Sequence, residues 1–245
     1  MGGNIMILIA AARSSPLSQV QLVEVQEEIN KHHPDLSLQP LFIDTTGDKD
    51  LKTSLRGLGR SDFFTQQIDA ALLQRRCSIA IHSAKDLPVP LDEGLTVAAI
   101  TEGKDHRDSL VLRDGFTLET LPPGSLIATS SERREEIIRS IRDDLVFADL
   151  RGTIGQRLDL LESGKVDGVV IAEAALIRLN LTHLNRFYLP GETTPLQGKL
   201  AIVVRRDAHA LLELFSCIDS RQKCHGDDSL SSALMQPETG HLIPS

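Results

Sequence analysis

Tryptophan is absent from this 245-residue chain, tyrosine occurs once, and aromatic residues make up 3% of it. A surface that stacks on bases needs more rings than this, and a formal net charge of -8 offers no general attraction to a phosphate backbone, so no nucleic-acid partner is expected. The three cysteines, Cys77, Cys217 and Cys224, show no Cys-x-x-Cys spacing. An odd, scattered set provides neither a disulfide framework nor a zinc site, and no metal is expected. Long apolar runs are missing as well. The segment from Ile5 to Ala11 is apolar but short, with no positive residue before it, which suits a first buried strand rather than a secretory leader. No stretch approaches the length of a membrane span. The expectation is a cytoplasmic monomer without a membrane partner.

What is present is an ordinary globular composition, 41% hydrophobic and 24% charged, with enough chain for one to two cored domains. Apolar strand patterns at Ile5–Ala11, Leu36–Ile43, Ile79–Ile81, Leu95–Ile100, Ser109–Leu112, Leu126–Ala128, Leu145–Ala148, Val166–Ala172 and Leu200–Val204 alternate with helical patterns. The helices are expected from Leu17 to Ile29, Phe63 to Arg75, Glu132 to Arg142, Ile154 to Leu161, Glu173 to Leu179 and Ala208 to Phe215. In the second of these Phe64 counts with Ile68, Ala71 and Leu72 in the buried stripe. Alternation of this kind predicts an α/β class with parallel sheets and ligands bound beyond the carboxyl ends of the strands.

The stretch from Ile79 to Pro90 concentrates the chemistry. A buried strand breaks into His82-Ser83-Ala84-Lys85-Asp86 and two prolines, so Lys85 and Asp86 fall on an irregular segment at a strand end, where both can face one cleft. A surface ion pair is the plain alternative for such a dipeptide. Arg13 precedes Ser14-Ser15-Pro16, Ser130 and Ser131 precede Arg133 and Arg134, and Arg151 precedes a helix that carries Arg157. Three times, then, a strand delivers arginine to the head of a helix, whose free N–H groups favour anions. Arg56 and Arg60 flank a glycine-rich loop suited to a lid or binding segment. Several guanidinium groups converging in an acidic protein point to a small ligand bearing many carboxylates or phosphates. His32 and His33 close a helix and are read as capping its carbonyls. Cys77 is read as packing.

Taken in order, Arg13-Ser14-Ser15-Pro16-Leu17, Thr45-Thr46-Gly47-Asp48, the Phe63 loop, His82-Ser83-Ala84-Lys85-Asp86-Leu87-Pro88, Arg107-Asp108, Thr129-Ser130-Ser131 with Arg133-Arg134, and Leu150-Arg151-Gly152 with Arg157 resemble the porphobilinogen deaminase family. The resemblance implies hydroxymethylbilane synthase activity: porphobilinogen units are condensed head to tail, with release of ammonia, into the linear tetrapyrrole of the haem pathway. It also implies a dipyrromethane cofactor, held through a cysteine thioether. The implied fold has two periplasmic-binding-protein-like lobes of mixed, mostly parallel sheets around a cleft. Residues 1–98 with 200–217 would form the first lobe and 99–199 the second, with 218–245 a short tail in place of the family's third α+β domain.

Carried over, Asp86 is the catalytic carboxylate. Arg13, Ser15, Arg56, Arg60, Lys85, Ser130, Arg133, Arg134, Arg151 and Arg157 hold the acidic arms of substrate and cofactor. Cys224 and Cys217 are the late cysteines left for attachment, since no Gly-Gly-Cys is present. Where the family has glycine-glutamine-glycine before its returning strand, this chain has Leu196-Gln197-Gly198. A non-catalytic binder of small polycarboxylates on the same scaffold is the competing reading.

Overall fold

The computed structural model describes residues 5–50, 52–54, 56 and 62–222. Among these residues ten strands form two five-stranded sheets. The first contains β1 (Met6–Arg13), β2 (Leu36–Ile43), β3 (Ile79–Ser83), β4 (Leu95–Ile100) and β10 (Leu200–Arg205), in the order β2-β1-β3-β10-β4. The second contains β5 (Asp108–Leu112), β6 (Leu126–Ala128), β7 (Val146–Ala148), β8 (Gly168–Ala172) and β9 (Arg186–Tyr188), in the order β7-β6-β8-β5-β9. The helices are α1 (Pro16–Asn30), α2 (Thr46–Lys49), α3 (Gln66–Leu73), α4 (Glu132–Ile141), α5 (Ile154–Glu162), α6 (Glu173–Arg178) and α7 (His209–Phe215).

Both sheets are mixed, as expected. β1 runs parallel to β2 and β3, and β6 runs parallel to β7 and β8, while β10 and β5 enter antiparallel to their neighbours. The two antiparallel strands are the first of the second sheet and the last of the first sheet, each entering where the chain has just crossed. Apolar clusters cover both faces of each sheet. In β1, Ala10 and Ala12 face the α1 side while Ala11 faces α3. A strand covered on both faces reads as an unbroken apolar run, the pattern seen in the sequence.

Local chemistry accounts for most helix starts. Ser15 caps α1, its hydroxyl accepting from Ser18 N–H at 3.3 Å ahead of a proline in the first turn. Thr153 and Gln156 form a reciprocal capping box on α5. The expected helix from Phe63 is shorter than its pattern: Asp62–Phe64 form a single 3-10 turn, and α3 begins after Thr65. Phe64 therefore leaves the stripe shared by Ile68, Ala71 and Leu72. Its ring packs so tightly on Gly47 that a Cβ there would lie 2.2 Å from it. β9 escapes the sequence pattern because it is three residues long, at a sheet edge and largely exposed.

The chain passes between the sheets twice, at 101–107 and 189–199. Lys104 N–H donates to Gly198 O at 3.0 Å, and Gly198 has φ +87° with Lys104 O only 2.6 Å from where its Cβ would stand. Only glycine allows that approach without strain. Beyond Cys217, residues 218–220 are buried. Asp219 accepts from Ile100 N–H at 3.0 Å, so packed structure extends past the expected start of the tail. The remainder of that tail, 223–245, lies outside the described residues. Among the described residues no helix is long and apolar enough to cross a membrane.

Candidate active site

A cleft of about 610 Å³ opens between the sheets, at the ends of β1, β3 and β6 and the heads of α1 and α5. Arg13, Ser15, Lys85, Asp86, Ser130, Arg134, Arg151 and Arg157 all line it. The strand-end placement read from the sequence brings these residues together from segments far apart in the chain.

Each cation is held differently. Arg13 ends β1, pairs with Asp48 and lies over the Phe64 ring at 4.5 Å. Burial of Asp48 would raise its carboxyl pKa, but hydrogen bonds from Arg13 and Thr45 hold it below the ordinary value. Arg151 donates to Gly47 O at 3.1 Å and to Asp50 O at 2.5 Å, and desolvation lowers its pKa. Arg157 donates to Gly152 O at 2.9 Å; its pKa is down to about 10, from desolvation first and then from Arg134, Arg151 and Arg13. The pKa of Lys85 is pushed down to about 8 by desolvation and then by Arg134, against the opposing pull of Asp86 and Asp108. Ser130 spends its hydroxyl within the protein, on Asp149 and Leu150 O.

Asp86 sits on the single turn 84–86 directly after β3. Among the described residues no hydrogen bond or ion pair is made to its carboxylate, although its charge reaches Lys85 and Arg157. The other acids on the wall are occupied, Asp48 by Arg13 and Asp44 by Ser14. Two cleft arginines also keep capacity in reserve: Arg134 Nε and Arg151 Nε are buried and, among the described residues, without acceptors. Buried N–H groups in that condition favour a ligand with oxygen acceptors.

Arg133 and Arg134 look equivalent in the sequence, yet only Arg134 lines the cleft. Successive helical residues point about 100° apart. Both reach Asp108 at 2.5 Å, but Arg133 turns outward to donate to Glu192 O at 2.7 Å. Arg56 is also off the wall, bonded to Glu135 at 2.7 Å and Thr129 O at 3.2 Å. Arg60 and Cys224 lie outside the described residues. Cys217 is apart from the cleft, against the apolar cluster that contains Phe215 and Ile218, and burial raises its thiol pKa. Cys77 is buried, its thiol pushed up to about 11 by desolvation, which suits packing.

Asp108 and Gln197 stand in motifs quoted from the sequence, but neither was given a place in the site. Asp108 is 1% exposed and is gripped by Arg133, Arg134 and Gln197. Burial would raise its pKa, but Arg134, Arg133 and Gln197 bring it down to about 2. An acid beginning a fully buried strand was the available signal.

A family model described as porphobilinogen deaminase, dipyrromethane cofactor binding domain, matches residues 8–213. A porphobilinogen deaminase of Chloroherpeton thalassium is 37% identical over 240 residues, covering 97% of this chain and 76% of that protein. One of Prochlorococcus marinus subsp. pastoris is 35% identical over 243 residues, covering 96% and 76%. Among solved structures, a probable amino-acid ABC transporter extracellular-binding protein of Bacillus subtilis superposes with a TM-score of 0.52 at 13% identity, covering 94% of this chain and 96% of that one. A LysR family transcriptional regulator gives 0.53 at 12% identity, covering 87% and 68%. At such identities the structural likeness concerns the fold alone, that of a two-lobed binding protein.

Proposed function

The chain belongs to the porphobilinogen deaminase family, and from that membership we propose that its cleft performs hydroxymethylbilane synthesis, joining porphobilinogen units head to tail with loss of ammonia. The observation that carries this reading is Asp86: the acid in the cationic cleft whose carboxylate, among the described residues, has no protein partner. A carboxylate left free in such a place can accept the pyrrole N–H. It can also offset the positive charge that grows on the ring as the amine departs, a contribution of the electrostatic kind that enzymes use most.

The surrounding cations suit the rest of the task. Arg13, Lys85, Arg134, Arg151 and Arg157 would grip acetate and propionate arms, and their unequal burial gives each a different strength. The buried, unpartnered Nε groups of Arg134 and Arg151 fit the carboxylates of a dipyrromethane. When bound, that group supplies the free pyrrole carbon on which the chain of rings grows. Arg133 acts through Asp108 in this scheme, and for Arg56 and Arg60 we keep the carboxylate-holding role that the resemblance implies. For attachment we favour Cys224 over Cys217, because burial holds the Cys217 thiol away from the thiolate form. We also keep the two expected lobes, 1–98 with 200–217 and 99–199, with the first corrected to run through Ile100, which ends β4 of the first sheet, and to include 218–220, which pack on it, and a cytoplasmic monomer as the working unit.

Asp86→Asn tests the assignment. Tetrapyrrole formation from porphobilinogen is expected to fall by about a hundredfold or more, with the unfolding midpoint unchanged. Parental turnover in that variant overturns the role of Asp86. Intact mass of the protein from a porphyrin-making host, followed by peptide mapping, locates any dipyrrole adduct. A parent with neither adduct nor turnover is a polycarboxylate binder instead.

A further inference from the structure

The return crossing carries one side chain that touches both halves of the cationic cleft. Gln197 is 3% exposed. Its Nε2 donates to His106 O at 2.7 Å and to Asp108 Oδ1 at 2.8 Å, while its Oε1 accepts from Lys85 Nζ at 3.1 Å and from Arg134 Nη2 at 3.3 Å. Lys85 comes from the first sheet and Arg134 from a helix of the second. The orientation of the amide is dictated by chemistry: a carbonyl and a carboxylate can only accept, and an ammonium and a guanidinium can only donate, so the amide cannot be reversed.

The backbone beside it is unusual. Leu196 has φ +63°, a left-handed conformation that costs a residue with a Cβ roughly 1–2 kcal/mol. Its side chain is nevertheless buried, in the cluster that contains Ala84 and Leu87 on either side of the Lys85-Asp86 turn. Burial of Leu196 in that cluster offsets the strained backbone from which Gln197 leaves.

We propose that Gln197 is a positioning residue of the cleft, whose amide oxygen fastens Lys85 and Arg134 to one point so that their remaining donors meet a single carboxylate of the ligand. The proposal rests on the reading of the cleft given above. It deepens that reading by naming what sets the spacing of two of the cations. Four charged groups act on Lys85: Asp86 on its own turn, Arg134 on α4, Asp108 at the start of β5 and Arg157 on α5. The two arginines and desolvation favour the neutral amine, so the Gln197 oxygen is the neutral acceptor that keeps the ammonium form aimed.

Acylation of Lys85 by a neutral N-hydroxysuccinimide acetate, followed by mass spectrometry across a pH series, tests this in the parent and in Gln197→Met. The parent is expected to show a midpoint near about 8. In the variant the midpoint falls, so that labelling at neutral pH speeds up about threefold, equivalent to half a pKa unit. KM for porphobilinogen rises about tenfold, the scale of one charged hydrogen bond, with a smaller change in kcat. Should Gln197→Met not fold, the side-chain amide signals of Gln197 in the parent are expected to titrate with Lys85, and Lys85→Met to abolish that response. Superimposable labelling curves, or amide signals flat across the titration, overturn the proposal. Neither measurement requires turnover, so a parent that makes no tetrapyrrole counts against the proposed activity while these results still decide the role of Gln197.

Discussion

Arg178 on α6 donates to both carboxylate oxygens of Glu24 on α1, at 2.8 and 2.9 Å, and its Nη2 also reaches Gly198 O at 2.8 Å. α1 covers the first sheet and α6 the second, so this ion pair ties the lobes together beside the crossing. Arg178 is 4% exposed and Glu24 16%, little enough for the pair to be worth more than a surface bridge. Arg178→Met, which strands Glu24, is expected to cost about 2–3 kcal/mol in denaturant unfolding. A double-mutant cycle with Glu24→Gln should give a coupling of about 1 kcal/mol or more. Strictly additive losses would show that the lobes are held together by other contacts.

Asp108 makes stability depend on acid. Its carboxyl is brought down to about 2 from the ordinary 3.8. A carboxylate whose pKa is lowered by folding stabilises the protein above its unfolded pKa, and that contribution is lost as pH falls through the folded value. The stability gap between the parent and Asp108→Asn is therefore expected to be constant near neutrality and to narrow by about 1 kcal/mol by about pH 3. Unfolding curves at the two pH values check this, and a gap that does not narrow would mean that the three partners of Asp108 do not hold its charge.

Gly198 and Gly115 share a positive φ, +87° and +85°, but differ in surroundings. A Cβ at Gly115 would meet nothing within 4 Å, whereas at Gly198 it would press on backbone at 2.6 Å. Gly115→Ala should cost only the conformational strain, about 1 kcal/mol. Gly198→Ala should cost about 2 kcal/mol more, because the opposite crossing must move to make room. Equal losses in thermal unfolding would mean that the crossing has room to give.

How well each feature could be read depended on how far its cause lay along the chain. β2 and β6 run over the predicted residues because their apolar runs end at polar turns, and α1 begins at Ser15-Pro16 because the cap is three residues from the N–H it satisfies. Phe64 was misplaced because an aromatic at helical spacing looks like core, while its actual partners are Gly47 and Arg13. Arg133 and Arg134 could not be told apart because the direction of each depends on how α4 is rotated against β5.

The sequence on its own determined most of the strands and helices, though not β9 or the short α2, and that its cations gather at strand ends, since both follow from local pattern and chain direction. It determined the family too, because the motifs that carry the resemblance are contiguous. The tertiary structure alone decided which charges remain available. Among the described residues Asp86 is left open while Asp48 and Asp108 are taken, and Gln197 reaches two cations, because these outcomes depend on groups that approach from distant parts of the chain and on how much water their meeting excludes.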